Sequence, residues 1–254
     1  AAAATCAAEV VLVAGGDGTL ARACAGLLAR PAPRPRLAVV PQGTADVLAH
    51  EYALPRKAAA IAAAVVAGRT RPLHFGLARD LFAPPRPFFL AVSAGFDAEV
   101  VDAVETSGPH RFKKLAFVLA ALRLLSRPRP ELSLNLTAPD GTRSRLAAEL
   151  AIVAKARHYA GTHTLTRATA MAEPGLRLVA LRRAGPLALA AAALRLALGR
   201  LEGSTNVVSL PVAAIRISSR DRLAEAPTQI DGDPLGWTPV EIETTDATLD
   251  LIVG

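Results

Sequence analysis

The sequence predicts an α/β unit followed by a mostly antiparallel β-rich unit, and three observations predict it. Short apolar runs alternate with helical segments up to Gly68. Apolar and polar residues then alternate with a period of two in several runs beyond Pro72. Glycine-bearing turns stand between a strand pattern and a helix pattern at 15–19 and again at 41–46.

Taken in order, Glu9 to Ala14 is a short apolar run ending at glycines, the pattern of a buried parallel strand. Leu20 to Ala29 reads as a helix, ended by Pro31, Pro33 and Pro35. Leu37 to Val40 is a second buried strand, stopped by Pro41. Ala45 to Tyr52 reads as a short helix, and Lys57 to Ala67 as a longer one with Gly68 at its C-terminal end. Alternation then marks strands at Leu132–Thr137, Ile215–Ser218 and Val240–Glu243, and Pro139-Asp140-Gly141 reads as a hairpin turn. Two helices interrupt this region, Phe112 to Ser126 and Leu187 to Leu198, the latter after Pro186 at its first turn. The expected division is therefore 1–72 and 73–254, and with no Ser/Gly-rich linker the two units are expected to pack closely.

Composition narrows the function classes. The chain has 254 residues, 52% hydrophobic and 20% charged, enough apolar material for a core and too little charge for disorder. No apolar run reaches the roughly 18 residues of a membrane-spanning helix. Cys6 and Cys24 are the only cysteines, too few for a disulfide framework or a four-thiolate zinc site. Nothing resembles a signal peptide. The only Met is Met171, so residue 1 is expected not to be a native start. The formal charge of +7 favours an anionic membrane surface or a phosphorylated ligand. The arginines are scattered, however, and aromatics are only 4%, which speaks against a nucleic-acid partner.

The chemistry-bearing feature is Gly15-Gly16-Asp17-Gly18-Thr19, directly after the first strand and before a helix. Three glycines let a phosphate chain approach bare backbone, and the helix N-terminus offers free N–H groups and a positive dipole end. Asp17 beside such an anion site makes sense with a metal or a hydroxyl between them, and Thr19 can donate to a phosphate oxygen. The loop lacks the lysine of a Walker A sequence and is not GxGxxG. Pro41-Gln42-Gly43-Thr44-Ala45-Asp46 lies at the next strand end, where adjacent strand ends of an α/β sheet form one crevice; alone, Thr44 is as well explained as a helix cap. Near the other end of the sequence, Asp231-Gly232-Asp233 places two carboxylates around a glycine, suited to metal binding or general-base work. Without other support it reads as an Asp-Gly turn between strands.

Together these segments resemble the catalytic region of the diacylglycerol kinase and sphingosine kinase superfamily, in particular its soluble bacterial lipid kinases. The resemblance runs through GGDGT at 15–19, PQGTAD at 41–46, Phe89 to Ala98, Arg157-His158-Tyr159-Ala160-Gly161, and Asp231-Gly232-Asp233 in place of the family's DGE. GGDGT alone is shared with NAD kinases. The resemblance implies an NAD-kinase-like (phosphofructokinase-like) α/β nucleotide domain, N-terminally truncated, and a β-rich second domain, with ATP in the cleft between them. It implies that Gly15, Gly16, Asp17, Gly18 and Thr19 contact ATP phosphates and Mg²⁺, with Asp17 the metal ligand and Gly43 and Thr44 by the nucleotide. It implies that Asp233 takes the proton of the attacking lipid hydroxyl, with Asp231 the alternative base. Phosphoryl transfer asks mainly for positioning and charge neutralisation. The expected setting is cytoplasmic, peripheral at the inner membrane face, with a homodimer allowed.

The sequence departs from the family at Ala21 and Arg22, where an Asn-Glu pair is usual, and at Asp46, where an asparagine is usual. Glu173-Pro174-Gly175 replaces a loop of consecutive aspartates that holds a structural Mg²⁺ in some members. A soluble NAD-kinase-like enzyme and a non-catalytic nucleotide- or lipid-binding relative are the competing readings. Elsewhere, the helix from Phe112 reads as a core helix with solvated ends, or as a membrane-surface element through Lys113, Lys114, Arg123 and Arg127. His158 and His163 read as surface or hydrogen-bonding histidines, the cysteines as small buried residues, and Trp237 as a packing residue.

Overall fold

The computed structural model describes residues 8–80, 83–106, 113–221 and 224–254. Cys6 and Phe112 lie outside the described residues, as do the side chains of Lys113 and Lys114.

The first half begins with strand β1 (Val10–Gly15), helix α1 (Asp17–Leu28) and strand β2 (Arg36–Pro41), with β1 and β2 parallel and in register from Val10↔Arg36 to Gly15↔Pro41. Helix α1 starts three residues earlier than the apolar pattern suggests, because Gly16 stands in the extended N-cap position and the Gly16 carbonyl accepts the Thr19 and Leu20 amides. Helices α2 (Val47–Glu51) and α3 (Ala58–Ala67) follow, and Gly68 closes α3 in the left-handed conformation, φ +66°. The buried faces follow the periodicity. Leu20, Cys24 and Leu27 of α1 pack with Leu37 and Val39 of β2, while Ile61 and Ala64 of α3 turn inward, with Ala64 lying against Ala38 of β2.

Strand β3 (Thr70–Asp80) leaves this unit, and β4 (Arg86–Phe88) pairs with it. Strand β5 (Ala91–Gly95) leads into α4 (Phe96–Thr106), and α5 (Lys113–Leu124) packs on α4. The hairpin at 139–141 forms as read, joining β6 (Leu132–Thr137) to β7 (Arg143–Ala148), with the Thr142 amide donating to Asp140 Oδ1 at 2.9 Å. Strand β8 (Leu150–Ala154), the short pair β9 (His158–Tyr159) and β10 (His163–Thr164), and β11 (Leu176–Leu181) precede α6 (Pro186–Ala197). A 3₁₀ turn (Leu201–Gly203) and strands β12 (Val207–Val212), β13 (Ala214–Ser219), β14 (Pro227–Ile230), β15 (Asp233–Trp237) and β16 (Val240–Ile252) complete the chain.

The strands form two large sheets. One runs β1-β2-β16-β13-β6-β7, with β3 and β4 attached to β16; the other runs β12-β11-β8-β5-β14-β15 and is antiparallel throughout. The third parallel strand beside β2 is the far end of β16, where Leu251 faces Leu37. β16 is much longer than the alternation at 240–243 suggests, because its run is interrupted where the register to β3 shifts between Thr244 and Thr248. The sheets stack face to face: Leu134, Ile217 and Val240 of the first meet Val92, Val153 and Leu178 of the second. On the outer face of the second sheet, Leu189 of α6 packs against Ile152 and Val179. The fold class read from the sequence, α/β followed by antiparallel β, is the one observed.

Trp237 departs from its expected packing role: it sits on edge strand β15 and is 52% exposed. Cys24 is buried as expected, and burial pushes its thiol up to about 12.

Candidate functional site

The two glycine turns touch. A Cβ on Gly16 would lie 2.8 Å from the Gly43 Cα, and one on Gly43 would lie 2.6 Å from the Gly16 Cα. Both positions therefore exclude any side chain, and the backbone at the ends of β1 and β2 converges on one spot. At Gly18 a Cβ would meet nothing within 4 Å, so that glycine faces open space. Thr19 and Thr44 are exposed at the rim.

Both carboxylate oxygens of Asp17 accept backbone amides. Oδ2 accepts the Val47 amide at 3.0 Å and Oδ1 the Leu48 amide at 3.2 Å, so Asp17 caps the N-terminus of α2 from thirty residues upstream. The local residue that would normally cap α2 is Asp46, but it stands in the left-handed conformation, φ 45°, and makes no cap bond. Its carboxylate turns back to accept the Gly43 amide at 2.7 Å and pairs with Arg56 at 3.2 Å. Burial raises the Asp17 carboxyl above its ordinary value against the pull of the two amides.

The Asp231-Gly232-Asp233 segment reaches the same region from the other sheet. Asp231 and Gly232 form the two-residue turn between β14 and β15, both with positive φ (52° and 89°), as the Asp-Gly pair suggests. Asp231 accepts three amides, Phe89 at 3.1 Å and Leu90 and Ala91 at 2.9 and 3.1 Å. Burial pushes its carboxyl up to about 7, the nearby negative charge of Asp17 adding to the rise. Asp233 is left partly open, its carboxylate 3.4 Å from the Arg22 guanidinium of α1. Arg22 thus spans from the helix behind the first glycine turn to the tail-end turn, with most of its side chain in solvent, where such a pair contributes little. Gly16, Gly43, Asp17, Asp231 and Asp233 are drawn into one neighbourhood.

A buried polar chain behind the turn escaped the sequence reading. The Gly232 amide donates to Gln229 Oε1 at 2.8 Å; Gln229 Nε2 donates to Ser93 Oγ at 2.9 Å and to Asp97 Oδ2 at 3.1 Å; and the Tyr159 hydroxyl donates to Asp97 Oδ1. Burial raises Asp97 despite these donors, and it raises Tyr159 too, together with the Asp97 charge. The available signal was the spacing Ser93-x-x-x-Asp97 across the β5–α4 junction. The histidines behave as hydrogen-bonding groups: His158 Nδ1 lies 3.1 Å from Glu51 Oε1 of α2, and His163 is exposed.

Two cation questions have structural answers. Among the described residues no three His, Cys, Asp or Glu side chains gather as a metal cage. Each Asp17 oxygen keeps a second lone pair beyond its amide bond, which fits a Mg²⁺ shared with bound phosphates rather than an all-protein site. The 170–175 loop is already held by a cation of the chain. Lys155, fully buried, donates its ammonium to the carbonyls of Ala170 at 2.8 Å, Gly175 at 3.1 Å and Glu173. Burial lowers that amine to about 8.

With the geometry in place, comparisons with known proteins agree over both halves. Residues 1–78 match the family model "Diacylglycerol kinase catalytic domain", and residues 90–253 match "YegS C-terminal NAD kinase beta sandwich-like domain". The diacylglycerol kinases of two strains of Mycobacterium tuberculosis, CDC 1551 / Oshkosh and H37Rv, are each 34% identical over 156 residues, 60% of this chain and 48% of theirs. The chain thus spans about half the length of the curated relatives it matches. The crystal structure of a diacylglycerol kinase from Bacillus anthracis str. Sterne superposes with a TM-score of 0.70 at 19% identity, over 97% of this chain and 78% of that one. An NAD kinase from Archaeoglobus fulgidus, solved in complex with ATP, superposes at 0.52 and 13% identity, over 96% and 77%. These two structures share the fold.

Proposed function

Because the chain belongs to the family that joins a diacylglycerol kinase catalytic domain to a YegS C-terminal NAD kinase beta sandwich-like domain, we propose that it is an ATP-dependent lipid kinase. It transfers the γ-phosphate of ATP to a hydroxyl of a diacylglycerol- or sphingosine-like lipid, at the cytoplasmic face of an anionic membrane. The observation that carries this reading is the convergence of the Gly16 and Gly43 turns with the half-open Asp233 carboxylate from the far end of the chain.

In this reading the ATP phosphates lie against the main chain at Gly15, Gly16, Gly18, Thr19, Gly43 and Thr44, where side chains are absent or short. Asp17 has the free lone pairs to share a Mg²⁺ with those phosphates; the ion, when bound, neutralises the charge gathering on the transferred group. Asp233 is the general base that takes the proton of the lipid hydroxyl, since it is the carboxylate of the turn with an open side. Asp231 is spent on three amides and serves to hold the turn rather than to accept the proton. The Gln229–Asp97 chain fixes the Gly232 backbone and so aims Asp233.

The test is transfer of label from γ-labelled ATP to diacylglycerol and sphingosine in mixed micelles, with NAD as control acceptor. Asp233→Asn should lower kcat by about 10²–10⁴, the usual contribution of a positioned base, while ATP binding is kept. Label appearing on NAD and on neither lipid overturns the lipid reading, and an Asp233→Asn variant at the wild-type rate overturns the assigned base.

A further inference from the structure

Helix α6 carries its apolar residues on both sides. Leu189, Ala192 and Leu196 pack inward on the second sheet. Outward, Leu187 is 88% exposed, Leu194 63% and Leu198, just past the helix end, 61%. Their spacing of seven and four places them on one stripe, with exposed Ala190, Ala191 and Ala197 between them. A leucine stripe left in water has no reason to persist on a chain that has no partner for it.

The charges around the stripe say what that partner is. Arg182 and Arg183 precede the helix, Arg195 lies on it and Arg200 follows it; all four are exposed, and none forms an ion pair among the described residues. The helix contains no acidic residue. The acids at its two ends are both engaged: Glu149 accepts the Ala184 amide at 2.6 Å, and Glu202 accepts from Thr166 at 2.8 Å and from Ser209 and lies 3.5 Å from Arg177. A second copy docked stripe to stripe would bring these arginines together with no carboxylate between them. An anionic bilayer surface matches both features, since leucines enter the acyl boundary while arginines meet head-group phosphates. At twelve residues the helix is about 18 Å long, which suits lying in the interface rather than crossing it.

We propose that α6 is the docking element of this chain for an anionic lipid bilayer. Its position suits that role. α6 packs on the β9–β10 hairpin, and the hairpin packs on α2 behind the second glycine turn. The hairpin therefore bridges the docked helix and the helix that follows the second glycine turn. On α6's other flank, Arg129 reaches the Ala184 carbonyl at 3.5 Å and the Leu124 carbonyl, tying the start of α6 to the end of α5. The inference rests on the lipid-kinase reading only for the identity of the surface, a bilayer that holds the acceptor.

Two readouts keep the inference and that reading apart. The first is co-sedimentation with phosphatidylcholine vesicles containing phosphatidylglycerol, and with phosphatidylcholine alone. Wild type should bind the anionic vesicles and release them as salt rises. A Leu187→Ser/Leu194→Ser/Leu198→Ser variant alters exposed positions alone and should keep its unfolding temperature. It should lose about tenfold in partition for each leucine that enters the acyl boundary. Arg195→Glu/Arg200→Glu should lose about fivefold per arginine, on anionic vesicles only. The second readout is turnover of a short-chain, water-dispersed diacylglycerol, which the leucine variant should leave unchanged. Absent turnover in wild type strikes at the kinase reading and leaves the vesicle result standing. Equal vesicle binding by wild type and the leucine variant overturns the inference. So does a wild-type dimer that the leucine variant turns into a monomer while neither sediments with vesicles.

Discussion

Asp231→Asn separates two roles that a carboxylate in this cleft could have. The wild-type carboxyl accepts three amides, yet burial and the charge of Asp17 lift it from 3.8 to about 7. A carboxyl whose folded value lies above its unfolded value holds its proton more tightly when folded. That contribution to stability is present below the unfolded value and is lost as pH rises through the folded one. For Asp231 the window runs from about 4 to about 7, and the full swing is on the order of 4 kcal/mol at 1.36 kcal/mol per pH unit. Asparagine has no such titration, so the wild-type-minus-variant difference isolates it while other groups cancel. At pH 5 the variant should be the less stable, by about 1–3 kcal/mol, because its amide turns a donor toward one of the three backbone amides. The deficit should shrink steadily toward pH 8, where the wild type bears the ionised group. Urea denaturation of both proteins at pH 5, 6, 7 and 8 measures this. A difference that stays constant across the series would mean that the three amides keep Asp231 ionised throughout and that burial is not the dominant influence.

Further outcomes follow from other contacts. Gly16→Ala places a Cβ 2.8 Å from the Gly43 Cα and should drive the two turns apart. We expect a loss of about 1–3 kcal/mol and disappearance of the ATP-induced shift in Tm; a preserved shift refutes the idea that the turns form one nucleotide site. Lys155→Met removes the donor from three carbonyls of the 170–175 loop. It should cost about 3 kcal/mol or more, several degrees of Tm, with no rescue by added Mg²⁺, as thermal unfolding would show. Gln229→Leu frees the Gly232 amide and should reduce kcat about tenfold with little change in KM for ATP; a change confined to KM would contradict a role in aiming Asp233.

Much of the fold was legible because local rules and tertiary context agree where they were used. The alternation at Leu132–Thr137 is a strand with Leu132, Leu134 and Leu136 inside, and Asp140-Gly141 turns where such a pair should. Helix α3, read from Lys57 to Ala67, ends at Gly68 because that glycine takes φ +66°. What the sequence hid was long-range. That Asp17 caps α2 depends on Asp46 spending its own carboxylate on Gly43 and Arg56, a choice no local pattern reveals. Lys155 looks like an ordinary surface lysine until three carbonyls from a loop fifteen to twenty residues on close around it. The Asp231-Gly232-Asp233 segment was read as either a turn or a site. It is a turn in which one carboxylate is consumed by structure and the other is left open.

The pairing of Leu251 with Leu37 has a consequence for biosynthesis. The edge of β2 stays open, and the core around Leu37 and Leu73 lacks Leu249 and Leu251, until the strand carrying them emerges from the ribosome. At about 5–20 residues per second, that leaves the early strands waiting on the order of ten to forty seconds. During that delay the nascent chain presents unpaired β edges to its surroundings, a period open to binding by a holdase chaperone.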